Sequence, residues 1–158
     1  MRKAGKPKRK DKNMADTYIS FYLRNNRIHI FVDALRGIGS PKYVCFLIAD
    51  DGKTLILAPY KKKDFHSHRV PQDVYRGKKS MEVSSLQLCR IMAEMQCWNT
   101  SCSYRVPGVI LPQQKICVYH LDQAERIRPM WVQKNDYFAS QFARYHTGLQ
   151  KAVDSTKL

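Results

Sequence analysis

Three arginines close together are the side chains of this sequence best suited to chemistry on an anionic partner. Arg24, Arg27 and Arg36 fall within thirteen residues. A guanidinium binds phosphate oxygens through paired N–H groups, and it can also donate two hydrogen bonds to the edge of a guanine. Ile28 and Ile30 alternate with polar positions, so the side chain of Arg27 is expected on the opposite, polar face of a strand. The pattern predicts a surface that presents arginines to a polyanion.

The clustering of the chain's positive charge points in the same direction. The 158 residues include 28 Lys and Arg against 13 Asp and Glu, a formal net charge of +15. Residues 1–13 hold seven of these cations and residues 61–79 hold another seven. If Met14 were the first residue, the loss of seven cations and one Asp would still leave +9. Clustered charge of this kind favours nucleic acid as the partner. The side chains expected to hold the phosphate backbone are Lys61, Lys62, Lys63, Lys78 and Lys79.

Metal binding is the first alternative to weigh. Structural zinc sites usually combine two close pairs of Cys or His ligands. Cys97 and Cys102 are separated by four residues, and Cys89 stands further upstream. His66 and His68 flank a serine in a basic segment, where a solvated loop is the simpler interpretation. No Cys-x-x-Cys pair occurs, so we expect no metal ligands and no cofactor.

Enzyme chemistry is the second alternative. The sequence has no Gly-rich phosphate loop, and no strand–turn nucleophile motif surrounds any of its cysteines. Carboxylates are scarce, and several occupy turn or cap positions. We therefore expect no catalytic residues and a protein that is not an enzyme.

The bulk composition is typical of a globular protein inside the cell. Hydrophobic residues make up 44% of the chain, and no apolar run approaches the roughly 20 residues needed to span a bilayer. The basic N-terminus is not followed by the apolar stretch of a signal peptide. Five cysteines are expected to be reduced, with Cys45 and Cys117 inside apolar strand patterns and therefore in the core. These features predict a cytoplasmic protein without a membrane partner.

Residues 17–60 are predicted to form a first unit of strands around one short helix. Strands are expected at 17–23, 27–32, 43–48 and 54–58, with a turn at 24–26. Asp33 is expected to cap a helical turn over 34–38, which Gly39 ends. Asp51-Gly52 is a tight-turn signal between the last two strands.

Residues 80–127 repeat this plan. A strand at 81–83 leads to Ser84, which with Gln87 matches a capping box. One helical face is expected to hold Leu88, Ile91, Met92 and Met95, and Trp98 is expected to anchor the unit in the core. A strand at 103–106 is predicted to break at Pro107-Gly108, and a buried strand is predicted at 115–121.

Three further segments complete the predicted organisation. Residues 1–16 form a basic disordered tail, 61–79 a basic connector, and 128–158 a C-terminal helical segment. A helix over 136–149 would place four apolar side chains on one face: Phe138, Phe142, Tyr145 and Leu149. That face would pack on the core or on a second copy of the chain, or it would bind a separate protein partner.

The first unit resembles a known DNA-binding family. The residues that carry the resemblance are Arg27-Ile-His-Ile, Asp33-Ala-Leu-Arg36 and Gly39, followed by Tyr43-Val-Cys-Phe-Leu-Ile and Thr54-Leu-Ile-Leu. In this order they are similar to the swapped-hairpin domains of the AbrB, SpoVT and MraZ type. Residues 80–127 resemble the same plan as a degenerate second copy.

The resemblance implies both a fold class and a function. The fold would be mainly β with short helices (α+β), in which two strand–helix–hairpin repeats form a swapped-hairpin-like β-barrel with a C-terminal helix added. The two halves would make one pseudo-symmetric core or interleave in a homodimer. DNA contacts would come from Arg27 and Arg36, with Arg24 nearby.

A duplex-DNA-binding transcriptional regulator is thus the leading interpretation of the sequence. One alternative is a protein-interaction module of the antitoxin type, in which the C-terminal aromatic helix binds a partner. Another is RNA binding, because basic charge alone does not distinguish RNA from DNA.

Overall fold

The computed structural model describes residues 15–128, which form a mainly β protein with few short helices. Its strands are β1 (Thr17–Tyr22), β2 (Arg27–Phe31), β3 (Tyr43–Ile48), β4 (Thr54–Tyr60), β5 (Ser67–Arg69), β6 (Ser80–Ser84), β7 (Ser103–Leu111), β8 (Ile116–His120) and β9 (Glu125–Ile127). Its α-helices are α1 (Val32–Gly37) and α2 (Leu86–Gln96). Short 3-10 helices cover Leu23–Asn25, Gln72–Arg76 and Leu121–Gln123. The predicted helix at 136–149 and most of the predicted N-terminal tail lie outside the described residues.

The strands form one sheet that curls into a nearly closed barrel. Their order is β5-β3-β4-β8-β7-β1-β2-β6, and β9 pairs with β7 beside this path. Every neighbouring pair along the path is antiparallel. The prediction of a mainly β fold with short helices is confirmed.

The β1–β2 hairpin follows the predicted alternation. Ile28 and Ile30 are fully buried, whereas Arg27 and Phe31 are exposed on the opposite face of the strand. Asn26 adopts φ 54°, the left-handed conformation that asparagine tolerates in tight turns. The predicted strand is present over Arg27–Phe31, one residue shorter than expected because Val32 already belongs to α1, and the chain turns at 24–26 as predicted.

The helix α1 begins earlier than predicted, so the prediction of Asp33 as its cap is wrong. The N-cap position is Phe31, in extended conformation, and no side chain caps the helix. Val32 is buried, and its N–H donates to the carbonyl of Lys79 at 2.8 Å, so the chain passes from strand directly into helix. The helix ends at Gly37, with Ile38 as its C-cap. Gly39 follows with φ +101°, a left-handed conformation that glycine adopts easily, and it turns the chain away from the helix as predicted.

The β3–β4 hairpin confirms its predicted turn. Gly52 has φ +68°, and the Asp51 carboxylate accepts a hydrogen bond from the N–H of Lys53 at 2.9 Å. The strand β3 has the predicted bounds, and β4 extends to Tyr60. The turn is readable from sequence because Asp and Gly serve its local geometry directly.

The predicted connector 61–79 carries structure of its own. It contains β5, which pairs with β3, and the 3-10 helix Gln72–Arg76. Val70 and Val74 are buried in the same core as both predicted units. Two valines separated by polar residues leave no periodic signal, so this contribution to the barrel is not visible in the sequence.

Two corrections concern α2. Its N-cap is Ser85, whose Oγ accepts from the N–H of Leu88 at 3.2 Å, and not the predicted Ser84. Ser84 is the last residue of β6 and pairs with Arg27. The fully buried face of the helix carries Cys89, Met92 and Ala93, while Leu88 and Ile91 are only partly buried and Met95 is exposed. The predicted stripe is therefore rotated, because the barrel wall decides which side of the helix is covered.

The strand β7 runs through Pro107-Gly108, so the predicted break there is wrong. Pairing with β8 begins at Gly108, and β7 changes partners at this point. A Cβ on Gly108 would lie 2.5 Å from the ring of Tyr119, which is fully buried. Glycine serves close packing between strands here and does not end the strand.

The barrel is filled by one core that includes residues from both predicted units. Cys45 and Cys117 are buried as predicted, and burial raises the pKa of Cys117 to about 11. Trp98 is partly buried at the edge of this core. Its ring stacks on Tyr104 with centroids 4.6 Å apart and meets Phe21 at 5.4 Å.

Candidate functional site

The strand registers divide the barrel into two ends. One end holds the junction of β2 with α1, the last residue of β4 and the first residues of β3, β6 and β8. The register places them together, since Phe31 pairs with Ser80 and Tyr43 pairs with Tyr60. At the other end lie α2, the β3–β4 turn and the 3-10 helix after β1. The two helices therefore stand at opposite ends of the sheet.

Positive charge is gathered at the α1 end. Ten cationic side chains lie there against four carboxylates, Asp16, Asp33, Asp64 and Asp73, a net formal charge of +6. We call these ten the basic end: Arg36, Lys42, Lys61, Lys62, Lys63, Arg69, Arg76, Lys78, Lys79 and Lys115. All ten are exposed.

The opposite end is electrically balanced. We call it the α2 end, and its four cations are Arg24, Arg27, Lys53 and Arg90. An equal number of carboxylates lies on the β3–β4 turn, on α2 and on the 3-10 helix after β8: Asp50, Asp51, Glu94 and Asp122. Glu82 of β6, which pairs with Arg27, adds one more negative charge beside this end. The contrast between the two ends arises from the fold, because it depends on which loops the strands bring together.

The structure does not bring the three predicted arginines together. Arg24 and Arg27 lie at the α2 end, whereas Arg36 lies in α1 at the basic end. The intervening strand β2 spans about 13 Å at the usual rise per residue. Residues close in sequence are thus separated in space by an extended strand, and the expectation of one arginine cluster is wrong.

Arg27 projects from the polar face of β2, as expected, but it is engaged. Its guanidinium donates to the carboxylate of Glu82 on β6, and His29 Nε2 lies 3.7 Å from the other oxygen of that carboxylate. The pair is about half exposed, so it stabilises the fold little. An anionic ligand would have to compete with Glu82 for Arg27.

Arg36 is placed differently. Its Nη2 donates to the carbonyl of Tyr75 at 3.2 Å, which ties α1 to the 3-10 helix of residues 72–76. Tyr75 in turn donates from its hydroxyl to the carbonyl of Pro41 at 2.8 Å. These contacts hold the end of α1 against neighbouring segments and leave the exposed guanidinium with further N–H donors.

The loop of residues 61–66 between β4 and β5 carries Lys61, Lys62 and Lys63. We call it the lysine loop. The carboxylate of Asp64 accepts from the Tyr60 hydroxyl at 2.5 Å and from the N–H of His66 at 2.7 Å. These two hydrogen bonds, led by that from Tyr60, hold the pKa of Asp64 below its usual range. The charge of Asp64 is thus directed inward along the loop while the lysines face solvent.

The remaining predicted lysines flank β6. Lys78 Nζ lies 2.6 Å from a carboxylate oxygen of Asp73, and this hydrogen bond lowers the pKa of Asp73. Lys79 is exposed, and its carbonyl receives the hydrogen bond from Val32 at the start of α1. The structure therefore brings all five predicted lysines to the same end as Arg36.

Three aromatic side chains, those of Tyr18, Tyr22 and Phe31, line the outside of β1 and β2. Tyr18 and Phe31 are exposed, and the guanidinium carbon of Arg105 lies 5.4 Å from the centre of the Tyr18 ring. Tyr22 is partly buried and meets the ring of His29 edge-on at 4.7 Å. None of the three belongs to the core.

Four cations of the basic end were not among the contact residues predicted from the sequence, namely Lys42, Arg69, Arg76 and Lys115, and neither was the neighbouring Phe65. Lys42 stands alone in the chain, and it joins Lys61 only because its neighbour Tyr43 pairs with Tyr60. Phe65 is fully exposed on the lysine loop. An aromatic residue amid lysines and histidines was a usable signal for Phe65, whereas nothing in the sequence marked Lys42.

Between residues 15 and 128 the structure shows neither a cluster of metal ligands nor a long apolar helix. No group of three or more His, Cys, Asp or Glu in this range could hold a metal ion. His68 packs edge-on against Phe46 at 5.5 Å, and its burial lowers its pKa. In the same range, no helix combines the length and apolar character needed to cross a bilayer.

No protein-family model matches this chain, and no curated protein or solved structure was found to match it.

Proposed function

We propose that this protein binds duplex DNA through its basic end, without catalysing a reaction, in the manner of a transcriptional regulator. The observation that carries the proposal is the gathering of ten exposed cations at one end of the barrel, while the opposite end is balanced. Seven of these cations come from residues 61–79, and the fold adds Arg36, Lys42 and Lys115 from other stretches of the chain. Lysines at such a surface neutralise phosphates and release counterions, which drives association.

The roles of the individual residues follow from their positions. Lys61, Lys62 and Lys63 would contact successive phosphates from their loop, and Lys79 would extend the contact along β6. Arg36 has a guanidinium fork suited to a base edge or a phosphate. Arg24 and Arg27 belong to the α2 end and are not part of this surface. The proposal therefore keeps six of the eight residues expected from the sequence.

The strand pairings support the swapped-hairpin arrangement as the finer description of the fold. The order β1-β2-α1-β3-β4 has a counterpart in β5-β6-α2-β7-β8. The hairpin β3–β4 lies between β5 and β8, and the hairpin β7–β8 lies between β4 and β1. Each hairpin is thus inserted between strands of the other half, and β2 pairs with its counterpart β6. This exchange is what two related halves around an approximate twofold axis would produce.

Salt dependence of binding tests the proposed function. Fluorescence anisotropy with a labelled mixed-sequence duplex should show tight binding at low salt. With six or more phosphate contacts, affinity should fall by about a thousandfold or more between about 50 and 200 mM salt. An RNA hairpin of similar length should compete poorly, because its deep, narrow major groove presents a different phosphate geometry. Absence of duplex binding at low salt would refute the proposal, and preference for the hairpin would assign RNA instead.

A further inference from the structure

The lysine loop carries an aromatic side chain that is not buried against the rest of the protein. Phe65 has a relative exposure of 103%, whereas the next most exposed large hydrophobic residue of the described chain, Leu47, reaches 53%. A ring left in water forfeits the stabilisation that burial would provide. Its exposure therefore calls for a physical reason.

The loop itself holds Phe65 outward. Its neighbour Asp64 is fixed from both sides, by the Tyr60 hydroxyl and by the N–H of His66. The N–H of Asp64 also donates to Ser67 Oγ at 2.9 Å, where β5 begins. A loop closed by these bonds between two strands presents its tip in a defined direction. The backbone that carries Phe65 is thus ordered in advance of binding, which lowers the entropy that the loop would lose when a partner covers the ring.

The charge around Phe65 identifies the partner. Lys61, Lys62 and Lys63 precede it on the same loop, and all three are exposed. A duplex held through its phosphates by these lysines would have its base pairs within reach of a ring two residues further along the chain. Apolar side chains beside cationic ones enter the minor groove, separate adjacent base pairs and kink the duplex.

We propose that Phe65 is a wedge residue that inserts between adjacent base pairs of duplex DNA while Lys61–Lys63 hold the flanking phosphates. This inference rests on the proposed function, since it assigns a binding mode to the same basic end. The ring would exchange water for the faces of two bases, and the duplex would bend at the point of insertion. An anionic membrane surface also attracts lysines with an aromatic residue, but stable membrane anchoring requires more apolar insertion than one ring.

Three variants test the wedge. Phe65→Ala removes the ring and should lower duplex affinity roughly 5- to 150-fold, the range seen when a stacking aromatic is removed. The salt dependence should keep its slope, because no phosphate contact is lost. Phe65→Trp should retain affinity and show fluorescence quenching on duplex addition beyond that of the wild type. Leu47→Ala is the matched control, an exposed apolar residue of β3 outside the loop, and it should bind as the wild type does.

Bending provides a second measurement. A duplex labelled at both ends should show increased energy transfer on binding wild-type protein, and less with Phe65→Ala at saturating concentration. If Phe65→Ala binds and bends the duplex as the wild type does, the wedge is refuted while the proposed function stands. If wild-type protein does not bind duplex at all, both fall. If the alanine variant loses binding only to vesicles rich in anionic lipid, the loop is a membrane contact and the wedge is refuted.

Discussion

The two ends of the barrel are built from the same sequence of elements and carry different surfaces. At each end a short strand runs into a helix, α1 after β2 and α2 after β6, before the chain enters a hairpin. The α1 end gathers ten exposed cations, whereas the α2 end holds four cations and four carboxylates. Similar architecture therefore does not entail similar function. The comparison teaches that the loops concentrate positive charge at one end, while the strand framework at the two ends is alike.

The two helices are also attached by different means. The helix α1 has six residues and no capping side chain, and it is held by buried side chains and by close approach to β7. The helix α2 has eleven residues, a serine cap and a hydrogen bond from Gln96 Nε2 to the carbonyl of Gly52 at 2.6 Å. We expect stability changes at the two ends to have different origins, which mutations can separate.

Charge reversal at the basic end should give the largest effect. The triple variant Lys61→Glu/Lys62→Glu/Lys63→Glu should weaken duplex binding by about a hundredfold at physiological salt, because three phosphate contacts are lost. The slope of log affinity against log salt should fall by about three. Anisotropy titrations over a salt series measure both quantities.

The α2 end supplies the control for this experiment. The variant Arg24→Glu/Lys53→Glu/Arg90→Glu changes the net charge by the same amount at the balanced end. It should reduce affinity far less, since only long-range electrostatics are affected, and salt screens these over about 10 Å. Equal losses in the two triple variants would contradict the assignment of binding to one end.

A smaller effect is expected where α1 meets β7. A Cβ on Gly37 would collide with the side chain of Ile110, so Gly37→Ala should destabilise the fold by about 1–3 kcal/mol through overpacking. Urea unfolding followed by circular dichroism measures this loss. The double variant Gly37→Ala/Ile110→Ala should lose less stability than the sum of the losses in the two single variants, because the Ile110 atoms that collide with the new Cβ are absent. Additive costs would show that the close approach does not hold α1 in place.

The smallest effect concerns the cap of α2. Ser85→Ala should cost about 1 kcal/mol of stability, since the N–H of Leu88 loses its acceptor. Ser84→Ala is the matched control on the neighbouring residue, and it should have little effect because Ser84 is exposed on β6 and makes no cap. Both should leave duplex affinity unchanged. A larger loss of stability for Ser84→Ala than for Ser85→Ala would show that Ser84 caps the helix, as the sequence predicted.

Local rules account for what the sequence predicted well. The alternation around Ile28 and Ile30, the left-handed Asn26 and the Asp51-Gly52 turn are each decided by neighbours in the chain. Both helix caps were misplaced by one or two residues. The start of α1 depends on a hydrogen bond from Val32 to Lys79, and Ser84 is withdrawn from capping by its pairing with Arg27. Both partners are distant in sequence.

The residues of the candidate site also fall into those that the sequence predicts and those that depend on distant contacts. The lysine run 61–63 was readable because its members are adjacent, and any fold would present them together. The three arginines are also near one another in sequence, but the extended strand β2 places Arg36 at the opposite end from Arg24 and Arg27. Lys42 shows the opposite case, since it joins the basic end only through the pairing of Tyr43 with Tyr60. Adjacency in the chain predicts adjacency in space only when no strand intervenes.

The amino-acid sequence by itself determined the mainly β character, the positions of the β1–β2 and β3–β4 hairpins and the strong positive charge of this protein. These depend on side-chain alternation, turn chemistry and composition, which act over a few residues. Only the tertiary structure decided that Arg36, Lys42 and Lys115 join the lysines at one end, that β5 pairs with β3 and that Phe65 remains in solvent. These outcomes depend on long-range strand register, because pairing between distant segments sets which loops become neighbours.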